Sequence, residues 1–176
     1  MSLMNRPLAV LLAAIVMGAG VQMPGSPASA APVPVSPVFG ATIEDYSDYE
    51  PENTCNPGDK PGPVAVRELL IDTYGPASFG ISRSCVPGGS SGHYEGRALD
   101  WMRDSFDPAE RDQVETFLDW LLATDEHGNR HAMARRMGIH YLIWDREIWR
   151  AYDSPPVWEP YYGSSPHTDH LHISFS

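Results

Sequence analysis

Seven prolines fall between Ala31 and Pro63 (Pro32, Pro34, Pro37, Pro51, Pro57, Pro61 and Pro63), and the same stretch carries the acidic run Glu44-Asp45-Tyr46-Ser47-Asp48-Tyr49-Glu50. Proline fixes φ and removes a backbone donor, and clustered charge resists burial, so this composition does not build a packed core. Residues 31–63 therefore read as a linker or as an arm that orders late. Ahead of it, Arg6 precedes an uncharged apolar run from Pro7 to Val21, followed by Ala28-Ser29-Ala30. That is the layout of a secretory signal over residues 1–30, with a positive start, an apolar centre and a small-residue cleavage motif. Gly18, Gly20, Gln22 and Pro24 interrupt the run too early for a membrane span. What remains for folding is residues 64–176, about 113 of the 176, which is one small domain.

Charge narrows the partners. The chain has 12 Lys+Arg against 23 Asp+Glu, a net charge of −11. Such an excess of acid repels a nucleic-acid backbone or an anionic membrane surface, so neither is an expected partner. Lys60 is the sole lysine and is flanked by Pro and Gly, which sets aside a lysine nucleophile. Cys55 and Cys85 are the only cysteines, and in an exported chain an even count favours a disulfide. A bridge across this separation contributes about 3–4 kcal/mol through loop closure and staples the arm to the domain.

Periodicity places the elements. Pro63 to Tyr74 reads as a helix stopped by Gly75-Pro76, and Asp107 caps a second helix running to about Asp125, with Val114, Phe117, Leu118, Leu121 and Leu122 on its apolar stripe. A shorter helix is expected over Arg130–Met137, closed by a left-handed Gly138. Phe79–Cys85 and Arg97–Met102 read as strands, and Ile139–Arg150 as a hairpin. The tail His170–Ser176 alternates strictly: Leu171, Ile173 and Phe175 face the core, while His170, His172 and Ser174 face away. Helices and strands mix without regular βαβ alternation. The expected class is α+β, a small antiparallel or mixed sheet packed against two or three helices.

Two separated segments carry the chemistry: Ser91-Gly-His93-Tyr-Glu-Gly96-Arg-Ala98-Leu-Asp100 and His167-Thr-Asp169-His170-Leu-His172. Imidazole and carboxylate form the ligand set of catalytic zinc, in which three protein donors leave a fourth position open. Gly96 can turn the backbone so that His93 and Asp100 converge. His170 and His172 share a strand face at roughly 6–7 Å, which suits one ligand and one group beside it better than two ligands. The plain alternative is a set of surface histidines near a polar C-terminus. Trp158, Tyr161 and Tyr162 lie in a Pro/Gly-rich loop before the site, where they either pack or line a groove for a peptide or glycan. His127, His131 and His140 lack a ligand partner at useful spacing and read as structural or exposed, and Glu95, beside His93 on the loop between ligands, is as readily a solvated acid as a general base. No His-Glu-x-x-His, Gly-x-Ser-x-Gly or phosphate loop is present.

The pattern Ser91-x-His93-x-x-Gly96-x-Ala98-x-Asp100, followed by His170-x-His172, resembles the zinc-site signature of the D-Ala-D-Ala carboxypeptidase and hedgehog-type metallopeptidase superfamily, including small exported actinobacterial members. The likeness covers residues 64–176. It implies one zinc per chain held by His93, Asp100 and His172, with His170 acting beside it and Arg83 facing the substrate carbonyl or carboxylate. The dipeptidase branch carries a Glu three residues before the last zinc ligand, where this chain has Asp169, so either Asp169 or His170 is the general base. His167 is a supporting partner or a loop residue. The resemblance further implies a secreted, monomeric peptidase acting on peptidoglycan stem peptides next to a D-amino acid. The alternatives are a non-catalytic zinc module of the same fold or a wall-binding protein.

Overall fold

A computed structural model describes residues 30–176. The expected signal, apart from Ala30, lies outside the described residues. Helix α1 (Pro61–Tyr74) starts two residues earlier than the pattern suggested, because Pro61 and Pro63 both fit a first turn that needs no amide donors. It ends at Gly75, which has φ +84°. The two-residue strand β1 (Phe79–Gly80) is shorter than the expected 79–85. Beyond Gly80 the chain leaves the sheet for the disulfide, and the Arg83 amide bonds the His93 carbonyl instead. Strand β2 (Ala98–Met102) precedes helix α2 (Pro108–Leu121), which Asp107 caps by accepting from the amides of Ala109 and Glu110. α2 stops short of Asp125, whose carboxylate accepts from the His127 and Asn129 amides and so builds a turn of its own. Helix α3 (Ala132–Arg136) begins only after His131, held at φ +52°.

Strands β3 (Ile139–Trp144) and β4 (Glu147–Arg150) form the expected hairpin. A short edge strand β5 (Trp158–Pro160) pairs with β4 in the region read as loop, and β6 (His170–Phe175) closes the chain. The six strands are antiparallel in the order β1-β2-β6-β3-β4-β5, so the C-terminal strand lies inside the sheet. With the three helices this is an α+β domain. Leu99, Trp101, Leu142, Leu171, Ile173 and Phe175 cover one sheet face, and Val66 and Leu70 of α1, Phe117 and Leu121 of α2 and Met133 of α3 pack in the same core. No helix among the described residues is long and apolar enough to cross a membrane.

Up to Lys60 the proline-rich stretch is laid along the domain with no regular structure of its own. Its backbone groups are satisfied by domain side chains: Arg135 donates to the Glu44 carbonyl, Arg97 to that of Glu50, and the Glu50 amide donates to His140 Nε2. The Cys55–Cys85 disulfide is formed. Glu95 is neither solvated nor a base at the site but is buried beneath the arm, where it accepts from the amide and hydroxyl of Thr54 and pairs with Arg97. A carboxylate at that depth is tolerable only because both oxygens are engaged.

Gly96 has φ +69°, and a Cβ there would overlap the Gly58 carbonyl of the arm. Gly96→Ala is expected to lower the unfolding free energy by about 3 kcal/mol or more, from left-handed backbone strain and the overlap together. Urea denaturation checks this, and a midpoint unchanged from the parent would refute it.

Candidate metal centre

Register decides what meets at the site. Asp100 on β2 lies directly opposite His172 on β6, and Ile143 on β3 lies opposite His172 on the other side. Neighbouring pairs Leu99–Ile173 and Leu142–Ile173 point to the core, so the alternation that buries the aliphatic row exposes Asp100 and His172 to the other face. β3 reaches this register through an irregularity at His140: Ile139 pairs with Phe175 and Tyr141 with Ser174. The extra residue lets Ile139 enter the core while Tyr141 turns toward the site.

His93 arrives on a single 3₁₀ turn, Gly92–Glu95. Ser91 opens the turn by accepting from the His93 amide at 3.3 Å, and left-handed Gly96 closes it. The ring is buried. Its Nδ1 lies 2.6 Å from the Ile81 carbonyl and its Nε2 3.1 Å from Asp100 Oδ1. His172 Nδ1 lies 2.8 Å from the same carboxylate oxygen. The Arg83 guanidinium takes the other one, with Nη2 3.1 Å from Asp100 Oδ2. Burial alone would raise the Asp100 carboxyl, but hydrogen bonds from His172 and His93 outweigh it and hold the group far below the usual carboxylate range.

This arrangement tests whether a metal fits. A carbonyl can only accept, so His93 Nδ1 carries a proton, and Nε2 meets the anionic oxygen either as the second N–H of an imidazolium or, in a neutral ring, as a lone pair. A cation between the two atoms would make the contact favourable for the neutral ring. The donor atoms of His93, Asp100 and His172 all lie within 4.8 Å of one another, and the 2.8 and 3.1 Å contacts approach the edge of about 3.3 Å for a tetrahedron with zinc bonds of about 2.0–2.1 Å. Two imidazoles and a carboxylate, with a backbone carbonyl orienting one ring, are a donor set and support suited to zinc. The residues fit the ion.

Around this trio the tail supplies three more groups. His170 Nε2 is 3.7 Å from Asp100 Oδ1, and its Nδ1 is 2.8 Å from Asp169 Oδ1. The Asp169 side chain is 79% exposed, so it stands behind His170 rather than over the trio. His167 is buried at φ +51°, with Nδ1 donating to the Ser165 carbonyl at 2.9 Å; its donor atom also groups with those of His170 and His172. Burial pushes its imidazole down to about 4. The cleft above, about 430 Å³, is lined by Arg83, His93, Asp100, His167, His170 and His172 together with Tyr161 and several serines. Trp158 does not reach it: opposite Trp149 on the sheet edge, it lines a separate depression with Arg111 and Glu115. Glu52 of the arm and Tyr141 of β3 also line the cleft. Neither stood out in the sequence, since Glu52 is one acid among many and Tyr141 one aromatic in a hairpin.

Fold and site together define a small antiparallel α+β domain with a buried His/Asp donor set under an open cleft. The family model described as VldE, C-terminal domain, matches residues 55–172, more than half of the chain, and the chain belongs to that family. The matched span runs from the first disulfide cysteine to the last donor histidine. No curated protein and no solved structure matches the chain.

Burial lowers the pKa of His131, His140, His167 and His172. Each therefore binds its proton more readily in the unfolded chain, whose histidines titrate near about 6.5, so the stability they carry is full above that value and is lost as pH falls toward 4. Chelator-treated protein is expected to unfold at lower urea at pH 4.5 than at pH 7.5. Equal midpoints would contradict the burial of these rings.

Proposed function

We propose that the protein is an exported zinc peptidase that hydrolyses peptide bonds in peptidoglycan stem peptides, next to a D-amino acid. The observation that carries this reading is the convergence of His93 Nε2, Asp100 Oδ1 and His172 Nδ1 on one buried point beneath an open cleft. The resemblance of the Ser91-to-Asp100 segment and the His170-x-His172 pair to the D-Ala-D-Ala carboxypeptidase and hedgehog-type superfamily supplies the substrate class. Zinc held by these three residues would contribute Lewis acidity, lowering the pKa of water and polarising an amide carbonyl.

The chain's own groups divide the remaining work. His170 Nε2 faces the cleft and accepts a proton from water, while its Nδ1–H donates to the Asp169 carboxylate, whose negative charge stabilises the imidazolium that forms. Asp169 thus acts through His170, which reconciles the two candidates for the base. The Arg83 guanidinium, half-exposed at the cleft, donates to the oxyanion that develops on the scissile carbonyl or to a terminal carboxylate. The hydroxyls of Ser90, Ser91, Ser164, Ser165 and Tyr161 offer partners to the substrate backbone. His167, neutral at physiological pH, supports the rings of His170 and His172, with centroids 4.6 and 5.8 Å away.

Export has support beyond the signal layout and the disulfide. Asp112 Oδ2 accepts from the Ala31 nitrogen at 2.8 Å. Cleavage after Ala30 would turn that amide into an ammonium already seated on a carboxylate. A second reading, a non-catalytic zinc module, draws on the 3.7 Å approach of His170 Nε2 to Asp100, because a fourth protein ligand would close the shell.

Mature protein starting at Ala31 is expected to bind one zinc and to release amino acids or peptides from muropeptides. His93→Ala and His172→Ala should lose the metal. His170→Ala should keep it and lower kcat by about 10²–10⁴-fold, with Asp169→Asn lowering kcat less. Zinc bound one to one with no cleavage of any muropeptide would favour the closed module, and protein that binds no zinc would refute both readings.

A further inference from the structure

His172 has one buried nitrogen that the donor set does not use. Nδ1 faces Asp100, whereas Nε2 has no hydrogen-bond partner among the described residues. With a cation on the Nδ1 side, a neutral ring carries its proton on Nε2, and a buried N–H without an acceptor does not hold the ring in place. What holds it is stacking: the Tyr141 ring lies 5.4 Å from that of His172 at an interplanar angle of 20°. The Tyr141 hydroxyl in turn donates to Glu52 Oε1 at 2.8 Å, and the same oxygen accepts from Ser174 Oγ at 3.1 Å.

Glu52 belongs to the proline-rich arm, not to the sheet. Its backbone is fixed from both sides, because the Glu50 amide before it donates to His140, Ser90 donates to the Glu52 carbonyl, and beyond it Thr54 is bonded to Glu95 and Cys55 is bridged to Cys85. A Cβ on Gly92 would meet Glu52 Oε1 at 2.9 Å, so the glycine beside His93 leaves the space that this carboxylate enters. One oxygen from the arm thus ties together the residue stacked on a metal ligand and the hydroxyl two residues beyond that ligand on the same strand face.

Resting on the zinc reading above, we propose that Glu52 is a positioning residue for His172: the arm delivers a carboxylate that fixes the Tyr141–His172 stack. The metal centre is then complete only when the arm is docked, and the disulfide at Cys55 secures that docking next to the residue that matters. A linker would leave metal affinity unaffected by any side chain it carries.

The test uses the full mature chain with Glu52→Ala, Glu52→Gln and Tyr141→Phe. Tyr141→Phe keeps the ring and removes only the hydroxyl that Glu52 holds, so it remains informative if alanine impairs folding, while glutamine keeps an acceptor for Tyr141 and Ser174. Zinc affinity is read by competition with a chelator, the ligand field from the visible spectrum of the Co²⁺ form, and stability from urea unfolding of metal-free protein. Glu52→Ala is expected to weaken zinc about 10–100-fold and to shift the Co²⁺ bands. Glu52→Gln should weaken it less, and Glu52→Ala with Tyr141→Phe should be no weaker than Glu52→Ala alone. If the parent binds zinc while folded Glu52→Ala or Tyr141→Phe binds it within twofold with an unchanged Co²⁺ spectrum, the role of Glu52 is refuted and the metal centre stands. A parent that binds no zinc refutes the centre itself and the role of Glu52 with it.

Discussion

The antiparallel pairing of β2 with β6 is the constraint on which the rest of this molecule depends. It sets Asp100 opposite His172 and, one step along, Leu99 opposite Ile173. Because side chains alternate with period two, a slip of one residue would carry the carboxylate and imidazole into the core and expose the aliphatic row. Burial of Leu99, Trp101, Leu171 and Ile173, all fully buried, therefore enforces the geometry of the site on the opposite face. The hydrophobic effect selects the register, and the register assembles the donor set. The irregularity at His140 serves the same end, letting one strand contribute Ile139 to the core and Tyr141 to the cleft.

A segment too rich in proline to pair in a sheet is fixed by other means. The arm has almost no element-forming backbone bonds, so its stability comes from side chains of the domain that reach its carbonyls, from aromatic contacts such as Tyr46 with His131, and from a covalent bridge. The buried Glu95–Arg97 pair is part of this arrangement: Arg97 donates to the carbonyls of Glu50 and Phe175 while Glu95 holds Thr54. Truncating either side would leave a charge without its partner in a dry place, which is far more costly than the pair is favourable.

Charge is distributed in two distinct ways. The chain as a whole is strongly acidic, yet around the donor set imidazoles outnumber carboxylates: His93, His167, His170 and His172 surround Asp100, with Arg83 on its second oxygen. Concentrating neutral and cationic donors on one buried carboxylate is what keeps that carboxylate ionised against its own desolvation.

Much of this was legible in the amino-acid sequence because it is local. The alternation of His170 to Phe175 assigned faces, Asp107 and Pro108 set the start of α2, and the ten residues from Ser91 to Asp100 with the terminal His-x-His pair marked the donor set. The pairing of Cys55 with Cys85 followed from their number. Strand β1 proved shorter than Phe79–Cys85, β5 formed in an apparent loop, and Glu95 turned out buried, because each depends on partners far away in the chain. Whether Asp169 or His170 faces the cleft, where Trp158 goes, and that Glu52 reaches Tyr141 are likewise decided in three dimensions. Sequence determines the period of each element and the chemistry each residue carries. Only the tertiary structure decides which carboxylate among 23 acids meets which ring, because that choice is made by strand order and by the packing of an arm that has no pattern of its own.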